Sequence, residues 1–275
     1  MRLRNTTLGV VAIGLVSVAV GDSGRPDGAP NSRQVKANLS SASELTHRLS
    51  LVREPGERPY RVGTIGRSVE GRPIRLIEHG DRRADDSVLV IGCIHGDECD
   101  ARHLRPVSGC PLYGARVYTI PNLNPDGFAL GTRLNARGVD LNRNFPSGWK
   151  PIGEPGSPQH SGARPLSEPE TRLAARIIRA LDPEVTIWFH QHRALRPLVR
   201  AWGKSIPSAR RYAELANLPF RRLPWLAGTA PNWQNHAFPG GTSFVVELPR
   251  DGFRRTRLDY LGYAVVRLAL ETGTG

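Results

Sequence analysis

His95, Gly96, Asp97 and Glu98 stand directly behind Val88-Leu89-Val90-Ile91, a short apolar run rich in β-branched residues that reads as a buried strand. An imidazole and a carboxylate three residues apart at the mouth of such a strand can converge on one metal ion. Zinc accepts this pair, and a catalytic zinc takes three protein ligands and keeps one position open. The third ligand must come from elsewhere. His190 closes the apolar stretch Val185–Phe189, and His192 follows it two residues on. Glu247 lies near the end of the run Phe244–Leu248, and Asn124 follows Ala115–Leu123. Each of these residues sits where a strand is expected to end.

The elements that position them alternate. Ser43–Val52 is expected to be a first helix, and Arg61–Glu78 a hairpin turning around Ser68–Gly71. Strands are expected at Val88–Ile91, Ala115–Leu123, Val185–Phe189 and Phe244–Leu248. The string Asn124-Pro125-Asp126-Gly127 is rich in turn formers. Only a short helix fits between Cys99 and Leu112, and residues 146–165 read as an irregular loop. Ser167 and Glu170 suggest a capping box opening a helix whose Leu173, Ile177, Ile178 and Leu181 share a face. Ser208–Leu218 and Thr256–Leu270 are further expected helices. Strands alternating with helices predict an α/β layered fold with a mainly parallel sheet. In such sheets ligands gather beyond the carboxyl ends of the strands.

The 275 residues suit one sizeable core and show no repeat. The formal charge is +13, carried almost wholly by arginine. It could draw an anionic partner such as a cell wall or membrane surface; without a basic run interleaved with aromatics it reads rather as scattered over solvated faces, and no nucleic-acid partner is expected. Residues 1–21 resemble a secretory signal, with an uncleaved signal-anchor as the alternative: Arg2 and Arg4, then the apolar run Leu8–Val20, then small residues for cleavage. Residues 22–40 form a leader and 41–275 the domain. Export would leave a secreted or wall-associated monomer with no stable membrane span. In an oxidising compartment two of Cys93, Cys99 and Cys110 are expected to pair, and the sequence does not choose which.

Together, IGRSVEGRPI (65–74), HGDE (95–98), PNLNPDGF (121–128), GVDLNRNFP (138–146), WFH (188–190) and FVVELP (244–249) make the chain resemble the zinc carboxypeptidases of the carboxypeptidase A type. The resemblance implies an α/β/α sandwich around an eight-stranded mixed sheet and one zinc ion per chain. It implies His95, Glu98 and His190 as ligands, His190 being preferred to His192. Glu247 matches the general base, and Asn142 and Arg143 the pair that holds the substrate's free carboxylate. Arg133, preferred to Arg137, matches the arginine that stabilises the oxyanion. The chain departs from the pattern after Glu98, where little helix fits. No tyrosine is evident to cover the substrate; in PNWQNHAFPGG (231–241), Trp233, Asn235 and His236 are candidates for that role, with packing or loop roles as the alternatives.

Within the family the chain resembles the short bacterial branch that includes murein tripeptide amidases. That implies a secreted metallopeptidase acting on the γ-D-glutamyl–diaminopimelate bond of wall peptides. The alternatives are a general metallocarboxypeptidase, a zinc-dependent small-molecule deacylase, and an inactive wall-binding module.

Overall fold

Ser87–Ile91 is buried along its whole length because both of its faces are covered. The computed structural model describes residues 43–55, 59–104, 113–191 and 196–272. In chain order the strands are β1 (Ser50–Val52), β2 (Tyr60–Arg67), β3 (Pro73–Gly80), β4 (Ser87–Ile91), β5 (Arg116–Ile120), β6 (Val185–Gln191), β7 (Leu198–Ala201), β8 (Phe220–Arg222) and β9 (Thr242–Leu248). They form one nine-stranded sheet in the order β1-β2-β3-β5-β4-β6-β9-β7-β8. The centre, β5-β4-β6-β9, is parallel. The β1-β2-β3 meander joins β5 antiparallel, and β7 joins β9 antiparallel.

Alternate residues of the central strands feed two cores, as a period of two requires. On one face Val88, Val90, Ile187, Phe189 and Val246 pack with α3 (Ile206–Ala216) and α5 (Arg255–Thr272). On the other, Leu89, Ile91, Trp188 and Val245 pack with α2 (Pro169–Leu181) and α4 (Ala230–Ala237). The result is the expected three-layer arrangement. Among the described residues no helix is long and apolar enough to cross a membrane.

Asn124 is more than a turn residue. Its side chain accepts from Gly127 N at 2.9 Å and opens a short helix, α1 (Pro125–Leu130). Asp126 of that helix is buried and holds the β2–β3 turn, accepting from Ser68 Oγ (2.7 Å), Glu70 N (3.0 Å) and an Arg72 guanidinium N–H (2.7 Å). Two stretches of sequence that look unrelated are thus one hydrogen-bonded unit.

Two expectations are corrected. The first helix covers only residues 43–47, because Ser50–Val52 pairs with Tyr60–Val62 as an edge strand instead. The Ser167–Glu170 box does not form. Pro169 starts the helix, and Glu170 is drawn away to accept from Val69 N (2.9 Å) and Asn135 Nδ2 (3.2 Å). Over the stretch 231–241, open between covering the substrate, packing and a loop, Ala230–Ala237 is helical and the packing role holds for Trp233. In it Trp233 is buried between Phe145 and Phe238, and Asn235 bonds to Ser243 on β9. Neither is free to cover a substrate. The region around Cys110, the rival His192 and the proposed signal and leader lie outside the described residues.

Candidate active site

The chain leaves β4 through a turn locked on both sides. Gly92 N bonds to Ile120 O (2.9 Å), and Cys93 adopts a left-handed φ of 57° while its carbonyl accepts from Asn124 N (3.0 Å). Cys93 is disulfide-bonded to Cys99, so His95 and Glu98 sit inside a closed covalent ring. Gly96 passes directly against the Gly127–Phe128 peptide of α1, with no room for a Cβ.

His95, Glu98 and His190 meet in the interior, one ligand atom from each lying within 4.8 Å of the others. The Nδ1 atoms of both rings face Glu98 Oε2 at 3.0 Å. Glu98 is further fixed by Gln191 N, which donates to the same oxygen at 3.1 Å, and by Arg133 on Oε1, also at 3.1 Å. The shortened segment after Glu98, a single 3₁₀ turn over Asp100–His103, therefore does not leave it loose. Two imidazoles and one carboxylate with convergent lone pairs are the donor set of a zinc site.

Asp140 supports the set. Its Oδ1 lies 3.1 Å from His95 Nε2, which leaves Nδ1 turned toward Glu98. The same carboxylate caps the turn Leu141–Arg143 by accepting from Asn142 N (2.9 Å) and pairs with Arg133 through Oδ2 (2.9 Å). A carboxylate on the far nitrogen of a ligating histidine orients the ring and raises its basicity. Burial disfavours the imidazolium of His95, but the Glu98 and Asp140 charges outweigh it and raise the ring to about 8. Burial pushes His190 the other way, below its ordinary value. Burial also works against the charged forms of Glu98 and Asp140, yet their histidine partners hold both well below the usual carboxylate range.

Asn142 is buried, with Nδ2 3.4 Å from His190 Nε2 and Oδ1 accepting from Ala230 N at 3.0 Å. Arg143 beside it donates to the Asn142 carbonyl (2.8 Å), and its burial lowers its pKa. Glu247 is the register partner of His190 on the neighbouring parallel strand. Its Oε1 is 3.3 Å from Arg200 Nε, and its Oε2 is buried with no hydrogen-bond partner among the described residues.

Comparison with known families matches residues 53–105 and 112–230 to the zinc carboxypeptidases. The chain belongs to the zinc carboxypeptidase family. Glu247 lies beyond the matched residues, so its assignment rests on register and surroundings. Among curated relatives, murein peptide amidase A of Escherichia coli is 34% identical over 157 residues, 50% of this chain and 62% of that protein. Carboxypeptidase SOL1 of Arabidopsis thaliana is 33% identical over 43% of this chain and 26% of its own length. The catalytic chain of human carboxypeptidase N is 31% identical over 44% and 35%. The chain thus spans less than two thirds of each of these relatives. Among solved structures, murein-tripeptide amidase from Escherichia coli O157 superposes with a TM-score of 0.61 at 24% identity, covering 76% of this chain and 91% of that one.

All seven residues expected of a zinc carboxypeptidase site gather at this end of the sheet. The rival Arg137 does not: its side chain is 55% exposed and, among the described residues, pairs with Glu168 at 3.6 Å. His236 lies on the exposed side of α4, bonded to Asn232 O. Two site residues were missed. Asp140 stands inside GVDLNRNFP and was readable as the carboxylate next to Asn142 and Arg143. Arg200 had no signal, being one arginine among many.

Proposed function

We propose that this chain is a zinc metallohydrolase that cleaves an amide bond next to a free carboxylate, with His95, Glu98 and His190 as the metal ligands. The observation that carries the reading is the convergence of these three side chains beside Glu247 on the adjoining strand. Bound there, zinc would lower the pKa of an attacking water and polarise the scissile carbonyl.

The remaining work falls to the chain. Asp140 keeps His95 in the tautomer that offers Nδ1. Glu247, with one oxygen uncommitted, takes the proton of the attacking water and delivers it to the departing amine. The planar fork of Arg143 suits the substrate's terminal carboxylate, which it meets bidentately. Asn142 braces both His190 and the carbonyl to which Arg143 is tied. Arg133 supplies positive charge where the carbonyl oxygen becomes negative.

The substrate favoured is a wall peptide cut at its γ-D-glutamyl–diaminopimelate bond. Support comes from the likeness to murein peptide amidase A and from the signal-like residues 1–21, which would export the protein to that substrate. Release of ordinary C-terminal residues is the second reading, supported by the likeness to carboxypeptidase N and carboxypeptidase SOL1. Mass spectrometry of wall-peptide digests separates the two. Free diaminopimelate with a peptide ending in D-glutamate, its γ-carboxyl freed, as partner product supports the first. Intact wall peptides beside shortened ordinary peptides would leave the second.

A further inference from the structure

Strand β7 brings one more guanidinium to the site. Leu198 and Arg200 pair in register with Glu247 and Val245. With a period of two, Arg200 and Glu247 therefore rise from the same face of the sheet. Arg200 Nε lies 3.3 Å from Glu247 Oε1 but makes no hydrogen bond there. A guanidinium carries five N–H donors, and this contact hydrogen-bonds none of them. The Arg200 side chain is 22% exposed, so the group is neither locked in the core nor free in solvent.

Charge makes this arrangement informative. Glu98, Asp140 and Glu247 face Arg133, Arg143 and Arg200, three anions against three cations. Arg133 pairs with Glu98 and Asp140, Arg200 pairs with Glu247, and Arg143 feels the fields of Asp140, Arg133 and Arg200. A divalent ion on His95, Glu98 and His190 leaves this set two charges positive. One substrate carboxylate at Arg143 removes half of the excess. Uncompensated charge among largely buried groups is costly, so a second anion is favoured.

We propose that Arg200 is a specificity-determining residue that pairs with a second carboxylate of the substrate, so that the enzyme selects amides carrying two acidic groups near the scissile bond. The inference rests on the carboxypeptidase-like reading above. The second carboxylate can belong to the side chain of the released residue or to the residue on the acyl side.

The test uses zinc-loaded protein and matched peptides that exchange Glu for Gln, first at the released residue and then at the acyl residue. A charge-assisted pair predicts a Glu-over-Gln ratio of kcat/KM of about 10- to 100-fold at one of the two positions, which also identifies the source. In Arg200→Gln that ratio should fall toward one, and in Arg200→Lys part of it should return. Calorimetry gives a readout without turnover. Free glutamate, or a γ-glutamyl peptide if the acyl side is the source, should bind wild type more tightly than its amide counterpart and lose that advantage in Arg200→Gln. A wild-type ratio near one at both positions overturns the proposal, whether or not the variants fold. So does an Arg200→Gln enzyme in which Glu and Gln substrates decline in proportion, since Arg200 would then only brace Glu247. Absence of hydrolysis of every free-acid peptide by zinc-loaded protein would instead overturn the carboxypeptidase-like reading, and calorimetry would still decide the role of Arg200.

Discussion

Glu247 differs from Glu98 and Asp140 in holding one carboxylate oxygen without a hydrogen-bond partner among the described residues. That oxygen is the one able to accept a proton during a reaction. Glu247→Gln should keep stoichiometric zinc by metal analysis while kcat falls on the order of 10²–10⁴-fold. Loss of zinc in this variant would instead make Glu247 part of the metal shell. Asp140→Asn should do the reverse, weakening zinc affinity by roughly 10–100-fold through the far nitrogen of His95, as competition with a fluorescent chelator would show. Arg143→Ala should harm hydrolysis of free-acid peptides far more than of their amidated counterparts. Equal losses on both would remove Arg143 from substrate recognition. His190→Ala should abolish zinc retention, and zinc kept by that variant but lost in His192→Ala would move the ligand.

At the scale of elements, Gly96 is where the turn after β4 and the start of α1 are fitted together. A methyl group at this position would overlap the Gly127–Phe128 peptide, which is backbone and cannot rotate aside. Gly96→Ala should cost about 1–3 kcal/mol, as overpacking does, and lower zinc occupancy at the same time. Denaturant melts and metal analysis of one preparation test both. This contact also marks the limit of what the sequence tells. Strands β4, β6 and β9 were legible because strands buried on both faces read as continuous apolar runs. Their chemistry-bearing ends were legible with them. The register that sets His190 opposite Glu247 was not, because it depends on how parallel strands slide past each other. Strands β7 and β8 were missed for a related reason: Leu198–Ala201 and Phe220–Arg222 are short, carry arginines, and become strands only through pairing with β9 and with each other. The supposed capping box failed because Glu170 found stronger partners far away in sequence.

For the molecule as a whole, the two cores are built from apolar side chains on opposite faces of one sheet, with the His95–Glu98–His190 cluster at the ends of its strands. Chelation should therefore abolish turnover while far-UV circular dichroism and a cooperative thermal transition persist. Zinc readdition should restore activity and raise Tm in step with the logarithm of free zinc over Kd. An apo-protein without a cooperative transition would mean that the metal site holds the fold together. The +13 charge does not act as one field at this site. Arg133, Arg143 and Arg200 are equalled in number by Glu98, Asp140 and Glu247, while arginines such as Arg211 and Arg255 form surface pairs with Glu271 and Asp259.

The covalent ring from Cys93 to Cys99 has a consequence for the metal. Closing a loop this short removes about 2 kcal/mol of chain entropy from the open form. It does so around His95 and Glu98, so part of the ordering that zinc would otherwise impose is already complete. Thermodynamic coupling between two events is reciprocal. If the closed ring favours zinc, then zinc must favour the closed ring, making the disulfide harder to reduce in loaded protein than in metal-free protein. Thiol titration against a graded redox buffer, with and without zinc, measures that difference directly, and identical midpoints would mean that ring and metal do not communicate.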